Sequence, residues 1–251
     1  MALYLTAAAL SFASLVRGTV VPFIEQEVRN ELYPEDLFMT EPDHFKEAVK
    51  VPVVLGVMSQ CPDAILCESV FDEVLKHTSD KIDLSLTFIG KLNASEPIYG
   101  VTCKHGPSEC AGNVQELCAL KYEPTFTWWN FVQCNNAHGR YEVGTPAVTL
   151  ECAKEAGIDW ENSRTGQCAG VDGQARGKEG IQLLQESVQV TASLGVEESC
   201  TIIISGKPVC VHDETWKDCD GGHDVDDFVR QIEEEYERLN NGAGRWASLT
   251  G

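Results

Sequence analysis

Cys61 opens the run Cys61-Pro62-Asp63-Ala64, directly after the apolar stretch Val51 to Met58 and before a helical pattern. A cysteine where a strand hands over to a helix can act as a nucleophile. The helix N-terminus supplies partial positive charge and free N–H groups that stabilise a thiolate. A thiolate attacks a disulfide sulfur and forms a mixed disulfide. Asp63 works against this by placing negative charge beside the sulfur. Internal resolution of the mixed disulfide needs a second sulfur, which Ala64 does not supply. Cys67 is one candidate, but six residues of regular helix rise about 9 Å, and a bridge needs Cα atoms within about 7 Å. Pairing of Cys61 with Cys67 therefore requires an irregular segment, or a loop folded back over the helix. A small-molecule thiol is the external route.

The elements that must position Cys61 are readable from periodicity. Val51-Pro-Val-Val-Leu-Gly-Val-Met58 is a valine-rich buried strand. Ala64 to Thr78 carries Ile65, Leu66, Val70, Phe71, Val74 and Leu75 at helical spacing, with Pro62 suited to the first turn. Lys81 to Lys91 alternates Ile82, Leu84, Leu86 and Phe88 on one face of a second strand. Glu109–Leu120, Thr125–Cys134 and Thr145–Gly157 read as short helices, and the glycine-rich stretch 166–180 marks the exit from that region. A helix over Lys178–Leu194, a hairpin of Ser199–Ile204 with Pro208–Val211, and an amphipathic helix over Asp224–Leu239 close the chain. The order β-α-β, helices, α-β-β-α is a thioredoxin-like α/β fold with a disulfide-stapled helical insertion. We expect a signal peptide over 1–18, a lead-in over 19–50, a single domain over 51–240 with its insertion at about 103–177, and a tail over 241–251.

Composition narrows the setting. The 251 residues include 43% hydrophobic ones, enough for a sizeable core. Nineteen basic residues face thirty-nine acidic ones, and a net charge of −20 argues against nucleic acid or anionic membrane as partners. Eleven cysteines point to an oxidising compartment, and the odd count leaves at least one thiol unpaired or shared with another molecule. The apolar stretch 2–16 is short for a membrane span and suits a cleaved signal, leaving no membrane segment. Asn93-Ala-Ser95 is a sequon and a candidate glycan acceptor on a surface turn.

Cys103-Lys-His-Gly-Pro-Ser-Glu-Cys110-Ala-Gly-Asn113-Val-Gln-Glu-Leu-Cys118 matches the pattern C-Q-H-G-x-x-E-C-x-x-N-x-x-x-x-C, with Lys104 the one departure. This signature resembles that of the gamma-interferon-inducible lysosomal thiol reductase (GILT) family, over about residues 50–240. The resemblance implies a secreted or lysosomal thiol–disulfide oxidoreductase on a thioredoxin-like scaffold. It acts on disulfide-bonded protein substrates without a cofactor, and the signature is not its reactive centre. The family carries C-x-x-C where this chain has C-P-D-A. Cys103, Cys110 and Cys118 are then structural disulfide partners, and their C-x6-C-x7-C spacing lacks the short knuckle zinc prefers. Cys134, Cys152 and Cys168 staple the insertion, while Cys210 and Cys219 close the loop between them, with connectivity left open. The proline that begins the facing strand of thioredoxin-like folds in the cis form falls on Cys200 here. Cys200 is thus a second candidate to pair with or resolve Cys61.

Two other readings stand beside this one. Cys61, Cys67 and Cys200 around one point would suit a soft metal, although no histidine is evident nearby and no metal is expected. The other is a catalytically inactive, disulfide-rich binding or chaperone-like module on the same scaffold, motivated by Ala64 and the missing proline. Asp218–Asp227 lacks EF-hand spacing and reads as a turn and helix cap. Trp128-Trp129 reads as core.

Overall fold

The computed structural model describes residues 48–247, so the expected signal and nearly all of the lead-in lie outside the described residues. Strand β1 (Val51–Val57) and strand β2 (Ile82–Phe88) are joined by helix α1 (Pro62–Thr78). β1 and β2 pair in parallel, Val51 opposite Ile82 and Val57 opposite Phe88. Parallel neighbours need such a crossover; β1 alternates at its start, with Pro52 exposed and Val54 half-buried, and is buried on both faces from Leu55 to Val57. The buried stripe of α1 is Ala64, Cys67, Glu68, Phe71, Val74, Leu75 and Thr78, a 3.6-residue repeat. Leu66, which the sequence pattern counted toward the core face, is exposed because it falls between these rows.

A short hairpin follows, β3 (Lys91–Leu92) with β4 (Val101–Thr102). The Asn93 sequon lies in its turn. The Asn93 side chain accepts from the Ser95 N–H at 3.0 Å and donates to Thr102 Oγ1 at 3.0 Å. The insertion comprises α2 (Pro107–Tyr122), α3 (Thr125–Ala137), α4 (Pro146–Glu155) and α5 (Arg164–Ala169). The last overlaps the start of the glycine-rich stretch 166–180, which sequence alone does not mark as helical; Ser163 caps it by accepting from the Gly166 N–H at 3.2 Å. Disulfides tie these elements together: Cys118 of α2 to Cys168 of α5, and Cys134 of α3 to Cys152 of α4. Trp128 and Trp129 are buried.

Helix α6 (Lys178–Ser193) leads back to β5 (Thr201–Ile204), β6 (Lys207–Asp213) and β7 (Thr215–Lys217). The five-stranded sheet runs β2-β1-β5-β6-β7, with β1 antiparallel to β5. All four residues of β5 are buried, as a central strand requires. The register of β5 and β6 slips between Ile202 and Ile203, where Pro208 has no N–H to give the ladder. Cys210 pairs with Cys219 across nine residues and holds the β6–β7 edge.

Helix α7 (Val225–Ala247) packs on α1, with the Phe71 and Phe228 rings 5.1 Å apart. It runs past the end at Leu239 expected from sequence, where Asn-Asn-Gly is a weak helical stretch. Asn240 holds it there by accepting from the Val49 N–H at 2.8 Å and donating to the carbonyls of Val49 and Tyr236. Among the described residues no helix is long and apolar enough to cross a membrane.

Candidate active site

Cys61 is the N-cap residue of α1, extended at φ −80° and ψ 129°, with Pro62 in the first turn. It is the single unpaired cysteine and only 4% exposed. Its sulfur lies 3.6 Å from Asp63 Oδ2 and 3.8 Å from the Ser199 carbonyl oxygen. Both neighbours are acceptors, so in this arrangement the thiol is a donor. Ala64, at the place a C-x-x-C motif would give to the second sulfur, is fully buried.

The other two candidates are joined to each other. Cys67 and Cys200 form a disulfide, with Cα atoms 6.2 Å apart across 133 residues of chain. Helix α1 is regular from Pro62, so Cys67 points one and a half turns away from Cys61 and reaches the start of β5 instead. Neither Cys67 nor Cys200 is free to resolve Cys61 in this state. Ser199, which precedes Cys200, nonetheless brings its carbonyl to the Cys61 sulfur, and its hydroxyl accepts from the Met58 N–H at 3.1 Å. The Ser199–Cys200 peptide bond is cis, although residue 200 is not proline.

The signature stretch forms the wall behind this turn. Cys103 and Cys110 are bridged at the entry to α2. Asn113, fully buried, accepts from the Ser59 N–H at 3.1 Å, and the Ser59 hydroxyl donates to the Glu109 carbonyl at 3.2 Å. Gln60 donates to the Val143 carbonyl at 2.8 Å and to Ser108 Oγ at 3.1 Å. The two residues before Cys61 are thus fixed by side chains and carbonyls of the insertion. Gly112 permits the approach: a Cβ there would stand 2.5 Å from Ser59 Oγ and 2.8 Å from Val143 Cγ1. His105 uses its ring and its backbone N–H to meet Glu109. It is a network residue at the N-terminus of α2.

On the other side, Asp63 is held by the hairpin edge. Its Oδ1 accepts from the Glu214 N–H at 2.8 Å. His212 Nδ1 lies 2.8 Å from the same oxygen, at ion-pair distance but out of line for a hydrogen bond, so this buried nitrogen has no aligned partner. The His212 ring sits edge-on to Trp216, centroids 4.7 Å apart. Sequence alone does not single out His212, because its proximity to Asp63 depends on β6 folding back beside α1. The alternation of Val209 and Val211 with Cys210 and His212 names a strand but not its neighbour.

Asp63→Asn is expected to raise the rate at which Cys61 is alkylated at mildly acid pH by about tenfold, equivalent to roughly 1.4 kcal/mol. Asparagine keeps the acceptor for the Glu214 N–H, removes the negative charge and offers an N–H to the sulfur. Iodoacetamide kinetics on the folded protein would read this; an unchanged or slower rate would show that Asp63 does not restrain the thiol.

The family model of gamma interferon inducible lysosomal thiol reductase (GILT) matches residues 52–156, a span that runs from β1 through α4. GILT-like protein 1 of Drosophila melanogaster is 30% identical over 164 residues, which cover 59% of this chain and 62% of that protein. The match therefore spans less than two thirds of that relative's length. Among solved structures, the MdbA protein, a thiol-disulfide oxidoreductase from Corynebacterium diphtheriae, superposes with a TM-score of 0.50 at 13% identity, over 78% of this chain and 86% of that one. Oxidised BdbD from Bacillus subtilis gives 0.50 at 16% identity, over 74% and 88%. At such identities these two speak to the fold alone.

Proposed function

We propose that this chain, which matches the gamma interferon inducible lysosomal thiol reductase family over residues 52–156 and resembles GILT-like protein 1, is a thiol–disulfide oxidoreductase using Cys61 as its nucleophile. The observation that carries the reading is the unpaired Cys61 at the N-terminus of α1, in a chain whose other ten cysteines are bridged. The Cys61 thiolate attacks a protein disulfide, forms a mixed disulfide with one substrate sulfur and releases the other as a thiolate. With Cys67 and Cys200 joined, the resolving thiol comes from a small molecule. It attacks the substrate sulfur of the mixed disulfide, frees Cys61 and leaves on a substrate–thiol disulfide, which a second small thiol reduces. Electrons thus come from two small thiols, which end as their own disulfide.

A cavity of about 340 Å³ opens beside the turn, lined by Met58, Ile89, Lys91, Thr102, Lys104 and Glu197. It is the site we assign to the chain flanking the substrate disulfide. Lys104, the position where this sequence departs from the family signature, places a cation there in a strongly acidic protein. The setting we propose is the secretory route, ending extracellularly or in a lysosome or vacuole, as five disulfides suit an oxidising compartment. The Asn93 turn is the proposed glycan acceptor. A non-catalytic binding module on the same scaffold is favoured by one observation, the near-complete burial of Cys61.

The test is to mix the protein with a disulfide-bonded protein substrate, quench with an alkylating agent and map the adducts by mass spectrometry. A substrate peptide joined to Cys61 is the expected result. Cys61 recovered only as the alkylated or unreacted thiol, with all five bridges intact, would give the reading to the binding module.

A further inference from the structure

We propose that the Cys134–Cys152 bridge is a redox-gated zinc site, in which a small-molecule thiol opens the bridge and the two freed sulfurs bind Zn²⁺ together with His138 and Glu155. Four residues from two packed helices converge here. Cys134 and His138 are four apart at the end of α3, and Cys152 and Glu155 are three apart at the end of α4. Each spacing puts both side chains on one helix face. Both sulfurs and a ring nitrogen of His138 lie within 4.8 Å of one another. Glu155 Oε2 stands 3.1 Å from the Cys134 sulfur.

That last contact is the independent sign of a ligand. A disulfide sulfur carries no proton, so the Glu155 carboxylate has nothing to accept from it. Once the bridge opens, two thiolates and a carboxylate would crowd one point, and a divalent cation neutralises them. Two thiolates, an imidazole and a carboxylate form a four-coordinate set that zinc takes up. Zinc bonds of about 2.3 Å to sulfur and about 2.0 Å to nitrogen put tetrahedral ligand atoms roughly 3.4–3.8 Å apart. To reach this the two sulfurs separate once their bond is broken, and Glu155, in contact with Cys134 but outside the three-residue cluster, swings in as the fourth ligand.

Access favours this bridge over the others. Cys67, Cys118, Cys168 and Cys200 are fully buried, and Cys103 and Cys110 nearly so. Cys134 is partly exposed, with His138 and Glu155 exposed beside it. The Cys210–Cys219 bridge also has a partly exposed sulfur, but among the described residues no cluster of three such ligands includes it. In the opening step a small thiolate attacks Cys134 Sγ, forming a mixed disulfide and releasing Cys152 as a thiolate. A second small thiolate attacks the small-molecule sulfur, releasing Cys134 and carrying both sulfurs away as the oxidised small disulfide. Zinc then binds without any further change of oxidation state, and any protons on the ligands pass to solvent. Bridge and metal exclude each other, so the α3–α4 pair stays fastened in either state.

The experiment titrates Co²⁺ and then Zn²⁺ into the full chain before and after brief treatment with a limiting small thiol. Before reduction no tetrahedral cobalt spectrum is expected. After it, one Co²⁺ per chain should give thiolate-to-cobalt charge transfer and tetrahedral d–d bands, which Zn²⁺ abolishes. Peptide mapping should find Cys134 and Cys152 as the opened pair. His138→Ala and Glu155→Gln, at exposed positions that spare the fold, should each weaken Zn²⁺ by more than about tenfold. The proposal is overturned if the reduced protein takes no metal, or if another bridge opens while this one stays closed. An unchanged cobalt spectrum in Cys134→Ser/Cys152→Ser, or affinities unaffected by both exposed-ligand variants, overturns it as well. None of these readouts depends on Cys61 or on reductase activity.

Discussion

Cys61→Ser is expected to bring disulfide reduction down to the rate of the added small thiol alone, while all five bridges and the melting temperature stay essentially in place. A serine hydroxyl is not ionised near neutral pH and does not attack sulfur, so the substitution removes the chemistry and leaves the shape. The serine hydroxyl still donates to Asp63 or to the Ser199 carbonyl, so the cost in stability is within about 1 kcal/mol. Every other cysteine is consumed in a bridge, and no second thiol stands ready to take over. The measurement is the initial rate of reduction of a disulfide-bonded protein at fixed small-thiol concentration, with calorimetry on the same samples. A variant that keeps the wild-type enhancement would move the nucleophile elsewhere. The Cys67–Cys200 pair, whose start of β5 touches Cys61 through Ser199, would then be the place to look. A variant that loses both rate and melting temperature would instead mark Cys61 as a packing residue.

The reach of the sequence is clearest at this same turn. Val51–Met58, the helix after Pro62 and the alternation Ile82-Leu84-Leu86-Phe88 locate Cys61 at a strand-to-helix junction, because each pattern is local and its period names its element. The signature around Cys110 and Asn113 identifies a family, but not that Asn113 holds the Ser59 N–H, since that bond joins residues 54 apart. Bridge connectivity is similarly hidden. Cys67 meets Cys200 across 133 residues, and nothing in the spacing of either selects the other. The short pairs are nearer to legible: Cys103 and Cys110 are seven residues apart, Cys210 and Cys219 nine. The proposed ligand set at Cys134, His138, Cys152 and Glu155 is not legible as one site because its two halves lie on different helices. Its signal was present as C-x3-H and C-x2-E at same-face helical spacing. Glu68 and Glu116 left no signal at all. A glutamate in a helix reads as solvent-facing until the packing shows which stripe it occupies.

Those two glutamates set the other large effect, a rise in stability as the solution becomes acid. Glu68 of α1 and Glu116 of α2 are each 1% exposed. Of their four carboxylate oxygens only Glu68 Oε2 has a partner among the described residues, the Asn136 side chain at 2.7 Å. Burial pushes Glu68 up to about 7, against the lowering effect of Asn136. Burial also raises Glu116 well above the ordinary value of 4.5, helped by the charges of Glu68 and Glu109. The folded protein therefore holds these protons more tightly than the unfolded chain does. Between about pH 7 and 4.5, acidification stabilises the fold, fully so below the unfolded value; raising the pH through the folded values removes that gain. For Glu68 alone the difference is on the order of 3 kcal/mol, or about 6–12 °C in melting temperature for a chain of this size. Glu235, drawn down to about 2 chiefly by Arg238, acts in the opposite sense, but only below about 4.5. The two windows do not overlap. The net charge of −20 also relaxes as the pH falls, and Glu116→Gln separates the two causes by changing that total by one unit. The expected result is a higher melting temperature at pH 7.5, little change at pH 5, and a flatter profile between them. A Glu116→Gln profile parallel to wild type would take Glu116 out of the slope and leave it to Glu68 and overall charge repulsion. A lower melting temperature at both pH values would mean that the ionised pair is held by interactions strong enough to outweigh its burial. With the expected flattening, the reductase proposed here would be a protein whose scaffold is most secure in an acidic compartment, through the helices that carry and back its nucleophile.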